Sequence, residues 1–112
     1  MVRDIYPVTR DHLLVIPRRH VGDYFDLGTA ESRACVTLVR QARFMLGDWD
    51  NSVVGANVGI SSGVVAGQTV MHCHIHLIPR RQGDVENPRG GVRAVIPGRA
   101  DFNPVRTLTF SG

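Results

Sequence analysis

The stretch Met71-His72-Cys73-His74-Ile75-His76-Leu77-Ile78-Pro79 alternates imidazoles with apolar side chains, and its reading decides the fold. Successive side chains of a β-strand point to opposite faces. As a strand, the segment places His72, His74 and His76 on one face and Met71, Cys73, Ile75 and Leu77 on the other. The imidazoles then project at intervals of about 6.5–7 Å, twice the rise of an extended residue. A helix would scatter positions i, i+2 and i+4 around its axis. The apolar face is therefore a core face, and the histidine face has another purpose, because three buried polar rings in a row are costly without partners.

Outward from this strand, taken as Gln68 to Ile78, the pattern is strand and helix in alternation. His12-Leu13-Leu14-Val15-Ile16-Pro17 reads as a buried strand stopped by proline. Asp23–Leu27 suits a short helical turn. Thr29 is placed to cap a helix with Glu31 in its first turn, where the helix dipole favours an acid. Cys35, Leu38, Ala42, Met45 and Leu46 then recur at helical spacing up to Gly47. Asp48–Ser52 reads as a turn, Val53–Gly59 as a strand and Ile60–Gly67 as a loop. After Pro79 the residues Gly83, Pro88, Gly90, Gly91, Pro97, Gly98 and Pro104 predict an irregular Gly/Pro/Arg-rich tail. The expected class is α+β: an antiparallel sheet backed by one main helix, in a single domain spanning 1–112.

Composition narrows the function classes. The 112 residues, 43% hydrophobic and 21% charged, suit one small globular domain. No apolar run approaches the ~18–20 residues that cross a bilayer, and the N-terminus lacks a signal peptide's apolar stretch, so no membrane partner is expected. The formal charge of +3 comes from thirteen basic residues, all arginine. They are dispersed and not interleaved with aromatics, so nucleic-acid binding is not expected. Cys35 and Cys73 both fall on apolar faces, which predicts buried free thiols and a reducing, cytoplasmic setting.

Two chemistries suit a row of imidazoles. One is metal binding, for which a His-x-His pair is a good clip. The other is covalent catalysis, with one ring attacking an electrophile while its neighbours bind or protonate flanking groups. The context favours the second. Gly67-Gln68-Thr69 immediately precedes the row and offers backbone N–H, amide and hydroxyl groups to phosphate oxygens. From Ser52 to Gly83 there is no acidic residue to serve as metal ligand or base. An anionic substrate is expected in place of a bound dication. A neutral imidazole attacks through one nitrogen only if its other N–H is held by an acceptor, here expected to be a backbone carbonyl.

The run Gly67 to Arg80, Gly-Gln-Thr-Val-Met-His-Cys-His-Ile-His-Leu-Ile-Pro-Arg, resembles the signature of the histidine-triad (HIT) superfamily of nucleotide hydrolases and transferases. Asp4-Ile5-Tyr6-Pro7-Val8-Thr9, His12, Leu14 to Val21 and Asn57-x-Gly59 resemble further family segments in the right order. Arg80-Arg81-Gln82-Gly83-Asp84 is similar to the fragile-histidine-triad branch, which hydrolyses dinucleoside polyphosphates. The resemblance spans roughly residues 4 to 98.

It implies that His74 attacks the α-phosphorus to form a nucleotidyl-histidine, which water resolves to a nucleoside monophosphate. It implies that His72 and His76 contact phosphate oxygens and the leaving group, with Gln68 also in the catalytic set. Gln68 and Thr69 would hold non-bridging or bridging phosphate oxygens with Gly67 beside them, Asn57 would approach the 5′ side, Asp4 would accept the ribose hydroxyls, Ile5 would line a purine pocket, and His12 would be a fourth site histidine. The implied substrate is an Ap3A- or Ap4A-like purine nucleotide, with no tightly bound cofactor and any divalent cation carried in by the substrate. The alternatives are a purine nucleoside phosphoramidase, a nucleotide-binding module without turnover, and a metalloprotein. By analogy a homodimer is expected. The match starts three residues after Met1, so the family's N-terminal hairpin is expected to be missing. Without a Cys-x-x-Cys pair the family zinc site lacks half its ligands, which leaves His20 structural or at the surface.

Overall fold

A computed structural model, describing residues 1–101, resolves the chain into four strands and one long helix. The strands are β1 (Val2–Arg3), β2 (Leu13–Val15), β3 (Val53–Gly59) and β4 (Ile75–Arg81), and the helix is α1 (Thr29–Trp49). They form one antiparallel sheet in the order β1-β2-β4-β3. The histidine strand is therefore central, held by β2 on one side and β3 on the other. The fold is α+β.

The helix begins one residue earlier than the sequence suggests. Gly28 is its cap, and the Glu31 carboxylate accepts the Gly28 N–H at 2.9 Å. At the other end α1 runs through Gly47 to Trp49, so the turn shrinks to the residues after it. Its expected apolar stripe is the packed one. Leu46 and Ala42 join Leu13 and Leu77, with Met45 against them. Cys35 joins Val15 and Ile75, with Tyr24, Leu38 and Ile60 around them. Both cysteines are buried and free, and burial raises both thiol pKa values.

The bounds of the histidine strand differ from the expected Gln68–Ile78. Burial alternates without a break from His72 to Pro79, but pairing begins only at Ile75. The reason lies in the neighbours: β2 is three residues long and its last partner is Val15 on Ile75, while β3 ends with Gly59 on His76. Residues 72–74 keep this alternation with no strand beside them, and the chain bends at His72. Met71, expected on the core face, is half-exposed. At its other end β4 passes through Pro79. The Pro79 carbonyl accepts the Thr9 hydroxyl at 2.8 Å, on the side where β2 has already ended at Leu13 opposite Leu77. The missing N–H faces that same side, so no ladder bond is lost.

The tail is less irregular than its composition suggests. A 3₁₀ turn at Gly91–Val95 packs on β3, and Gly90 is fixed at φ 91° with Ala100 so close that a Cβ has no room. Pro104 and the rest of 102–112 lie outside the described residues. Among the described residues no helix is long and apolar enough to cross a membrane.

Candidate active site

The rings of the triad come together as the period-two reading requires, through partners that alternation alone does not reveal. His74 and His76 have centroids 5.1 Å apart, and His12 sits 5.1 Å beyond His76. All four triad-region histidines, His12, His72, His74 and His76, line one cleft of about 540 Å³.

Each ring's partner fixes its proton. His74 Nδ1 is 2.8 Å from the His72 carbonyl, which can only accept. Nδ1 therefore carries a hydrogen, and in the neutral ring the lone pair is on Nε2. His72 donates Nε2–H to the Pro17 carbonyl at 3.0 Å. The Val8 N–H donates to His12 Nδ1 at 3.2 Å, so His12 donates from Nε2 to His76 Nδ1 at 2.9 Å. His76 is then left with Nε2–H to offer. Burial lowers the His76 pKa, and the neighbouring His12 and His74 push the same way, against Asp4. The ring is neutral at neutral pH.

An acid missing from the triad's own segment is supplied from the N-terminus. The Asp4 N–H donates to the His12 carbonyl at 2.9 Å, which brings Asp4 Oδ2 to 3.6 Å from His12 Nε2, while Oδ1 accepts the Tyr6 N–H at 2.8 Å. The turn delivering His12 places Asp11 at φ 66°, a left-handed conformation that Asp tolerates better than most residues. Asp4, His12 and His76 offer three ligand atoms within 4.8 Å of one another, an arrangement that could hold a cation.

Gln68 is buried, and its amide is used internally. Its Oε1 accepts the Gly63 N–H at 2.9 Å, and its Nε2 donates to the carbonyls of Gly22 at 2.7 Å and Val70 at 3.0 Å. Both amide hydrogens are thereby directed into the loop, so Gln68 ties the 63–70 loop to the chain leading from β2. Gly67, at φ 96°, makes the left-handed turn that returns the loop toward the histidines. Gly67, Thr69, Asp4 and Ile5 all line the triad cleft, and Ile5 is largely exposed.

Asn57 is the residue the structure separates from this group. It lines an adjoining cleft instead, with its Oδ1 accepting from Arg80 Nη1 at 2.7 Å. Arg80 was not singled out from the sequence as a site residue, although a signal was available: positions 72, 74, 76, 78 and 80 share one alternation. Ser61 and Val8, which line both clefts, carry no comparable signal. His20 is exposed, with its ring 5.0 Å from that of His72.

Comparisons with known proteins place the chain by family and fold. The HIT domain matches residues 1–83. The chain is 40% identical over 81 residues to a bis(5′-nucleosyl)-tetraphosphatase (asymmetrical) of Schizosaccharomyces pombe, covering 72% of this chain and 44% of that protein. It is also 40% identical over 81 residues to the nitrilase and fragile histidine triad fusion protein of Caenorhabditis elegans, covering 72% of this chain and 18% of that one. The crystal structure of Plasmodium falciparum diadenosine triphosphate hydrolase superposes with a TM-score of 0.68 at 30% identity, over 75% of this chain and 56% of that one. The chain thus spans less than half the length of these two curated relatives. With the domain match covering most of its residues and the four histidines gathered as described, the chain belongs to the HIT family.

Proposed function

We propose that this domain hydrolyses dinucleoside polyphosphates of the Ap3A or Ap4A kind, with His74 as nucleophile. The observation that carries the reading is the His74 Nδ1–H held by the His72 carbonyl, which puts the lone pair of the neutral ring on Nε2, in a side chain that lines the cleft. The activities for which the relatives are named, a nucleosyl tetraphosphatase and a diadenosine triphosphate hydrolase, support the substrate class.

In this scheme the Nε2–P bond forms as the bond from the α-phosphorus to the bridging oxygen breaks. The departing nucleotide leaves as a stabilised anion, which makes a strong general acid unnecessary. Water then attacks the phosphorus, the P–N bond breaks, and a nucleoside monophosphate and a proton are released. A neutral imidazole suits a negatively charged phosphate better than a carboxylate would. Asp4 accepts ribose hydroxyls, Ile5 lies against the base, and Gly67 and Thr69 bind phosphate oxygens. His72 and His76 flank the reacting group, and His76 presents its Nε2–H. No resident cofactor is needed, and a divalent cation enters with the polyphosphate. The edge strand β3, with Val54 and Val58 exposed, is the natural seam for a homodimer.

The test is mass spectrometry of protein quenched during turnover of Ap3A. A nucleotidyl adduct on His74 is expected, absent in His74→Ala, with turnover reduced by at least about 10⁴-fold. Phosphoramidate cleavage with no attack on Ap3A would give the site to a phosphoramidase. Nucleotide binding without any adduct would end the catalytic reading.

A further inference from the structure

A second cleft of about 620 Å³ adjoins the triad cleft, and His76, Val8 and Ser61 line both. Each volume is within the range of small-molecule sites. His76 marks the boundary between them. A phosphate chain attached at His74 and passing His76 leads directly into the second cleft.

The lining of this cleft suits a nucleoside better than further phosphate. Ile60, Ile78, Val92 and Val95 supply apolar wall. Val92 and Val95 belong to the 3₁₀ turn of the tail, and both remain largely exposed. The one guanidinium is neutralised: Arg80 donates Nε–H to Asp84 Oδ2 at 2.7 Å and Nη2–H to Asp84 Oδ1 at 2.8 Å. Its Nη1 holds Asn57 Oδ1, which fixes the amide so that Nδ2 lies toward Gly91, where a Cβ would come within 3.3 Å. Among the described residues, three of the five Arg80 donors are then used. A neutral, largely apolar cleft with an oriented amide and spare N–H groups matches a purine base and ribose. A free terminal phosphate would meet a cation already paired.

We infer that this second cleft, walled by the tail turn and oriented by the Asn57–Arg80–Asp84 chain, binds the nucleoside of the departing nucleotide. The inference rests on the reading of the triad as a nucleotidyl-transfer site. It makes the domain selective for substrates with a nucleoside at both ends, and it gives the post-triad segment Arg80 to Val95 a role in specificity.

The experiment compares three substrates on the full chain. They are Ap3A, ATP, and adenosine 5′-phosphoimidazolide, whose leaving group is too small to reach the second cleft. The unsubstituted chain is expected to prefer Ap3A over ATP, and Val92→Trp, which fills the cleft, is expected to lower the ratio of kcat/KM for Ap3A over that for the imidazolide about tenfold, the scale of a lost base contact. Val95→Trp fills the same wall from another position and replaces Val92→Trp if that variant melts early. An unchanged ratio in a folded variant overturns the inference, as does Ap3A cleaved no better than ATP. Imidazolide cleavage with a His74 adduct in those cases leaves the proposed function standing. Failure on all three substrates with no adduct removes both.

Discussion

The two halves of the histidine segment solve different problems with one alternating pattern. From Ile75 to Arg81 the backbone is paired on β3 and, up to Leu77, on β2. There the apolar side chains close the core. From Gln68 to His74 no strand lies alongside, and the backbone is held by scattered bonds: Cys73 N–H to the Val21 carbonyl, and the Gln68 amide to three loop groups. The unpaired half is where ring chemistry is set. A carbonyl engaged in a ladder is poorly placed to orient a neighbouring side chain. Because His72 is beyond the reach of β2 and β3, its carbonyl is available to His74 Nδ1. Likewise Pro17, beyond the end of β2, has a carbonyl for His72. Stability thus resides mainly in the paired half and reactivity in the unpaired one.

The largest effect that would sharpen this contrast is in the paired half. Leu77 is fully buried between Leu13, Ala42 and Leu46. Leu77→Ala is expected to cost about 2–5 kcal/mol in urea or thermal unfolding, while the fraction still folded retains its kcat. A cost under about 1 kcal/mol would mean that the core is not anchored on β4. Gln68→Ala is the counterpart in the unpaired half. It leaves the Gly63 N–H and the Gly22 and Val70 carbonyls without this partner, a loss of about 1–3 kcal/mol. Its distinguishing sign is kinetic, because the loop carrying the triad's approach loses its tie. Turnover should fall on the order of ten- to a hundredfold, the scale of a small misplacement of reacting groups. Equal stability loss with unchanged kcat/KM would break the division proposed for the two halves.

Much of this was legible in the residues themselves. The alternation from His72 onward and the stripe Cys35-Leu38-Ala42-Leu46 follow from periodicity and pack as their periods require, and the strand Val53–Gly59 has the expected bounds. Strand limits were not legible, since they depend on how far the neighbours reach. A strand's own alternation says nothing of β2 being three residues long. The partners of Gln68 were hidden for a similar reason. A polar residue before a strand suits a ligand or a turn equally, and only folding brings Gly22 and Gly63 to its amide. The segregation of Asn57 from the triad cleft depends on register: Asn57 faces Ile78, two residues beyond His76 on the same strand. Asp4 reaches His12 through β1 pairing with β2, a contact that charge counting between Ser52 and Gly83 cannot show.

The smallest effect separates the halves by how their rings are held. His72 and His74 donate to carbonyls, whereas His76 accepts from another imidazole. Protonation at His76 Nδ1 would set two N–H groups against each other, in a ring that burial already biases toward neutrality. The His76 pKa is therefore below the 6.5 of an unhindered histidine. Between that lowered value and 6.5 the unfolded chain binds more protons than the folded one, so stability rises with pH across this window. Acidification from pH 6.5 should accordingly lower the melting temperature, until His76 is charged in both states and its share of the loss is complete. His76→Gln keeps an acceptor for His12 Nε2–H and removes the titration, so its melting temperature should decline less steeply over the same range. Parallel declines in the two proteins would show that the His12–His76 bond imposes no protonation preference, and would leave the carbonyl-held rings of the unpaired half as the sole source of ordered tautomers in the site.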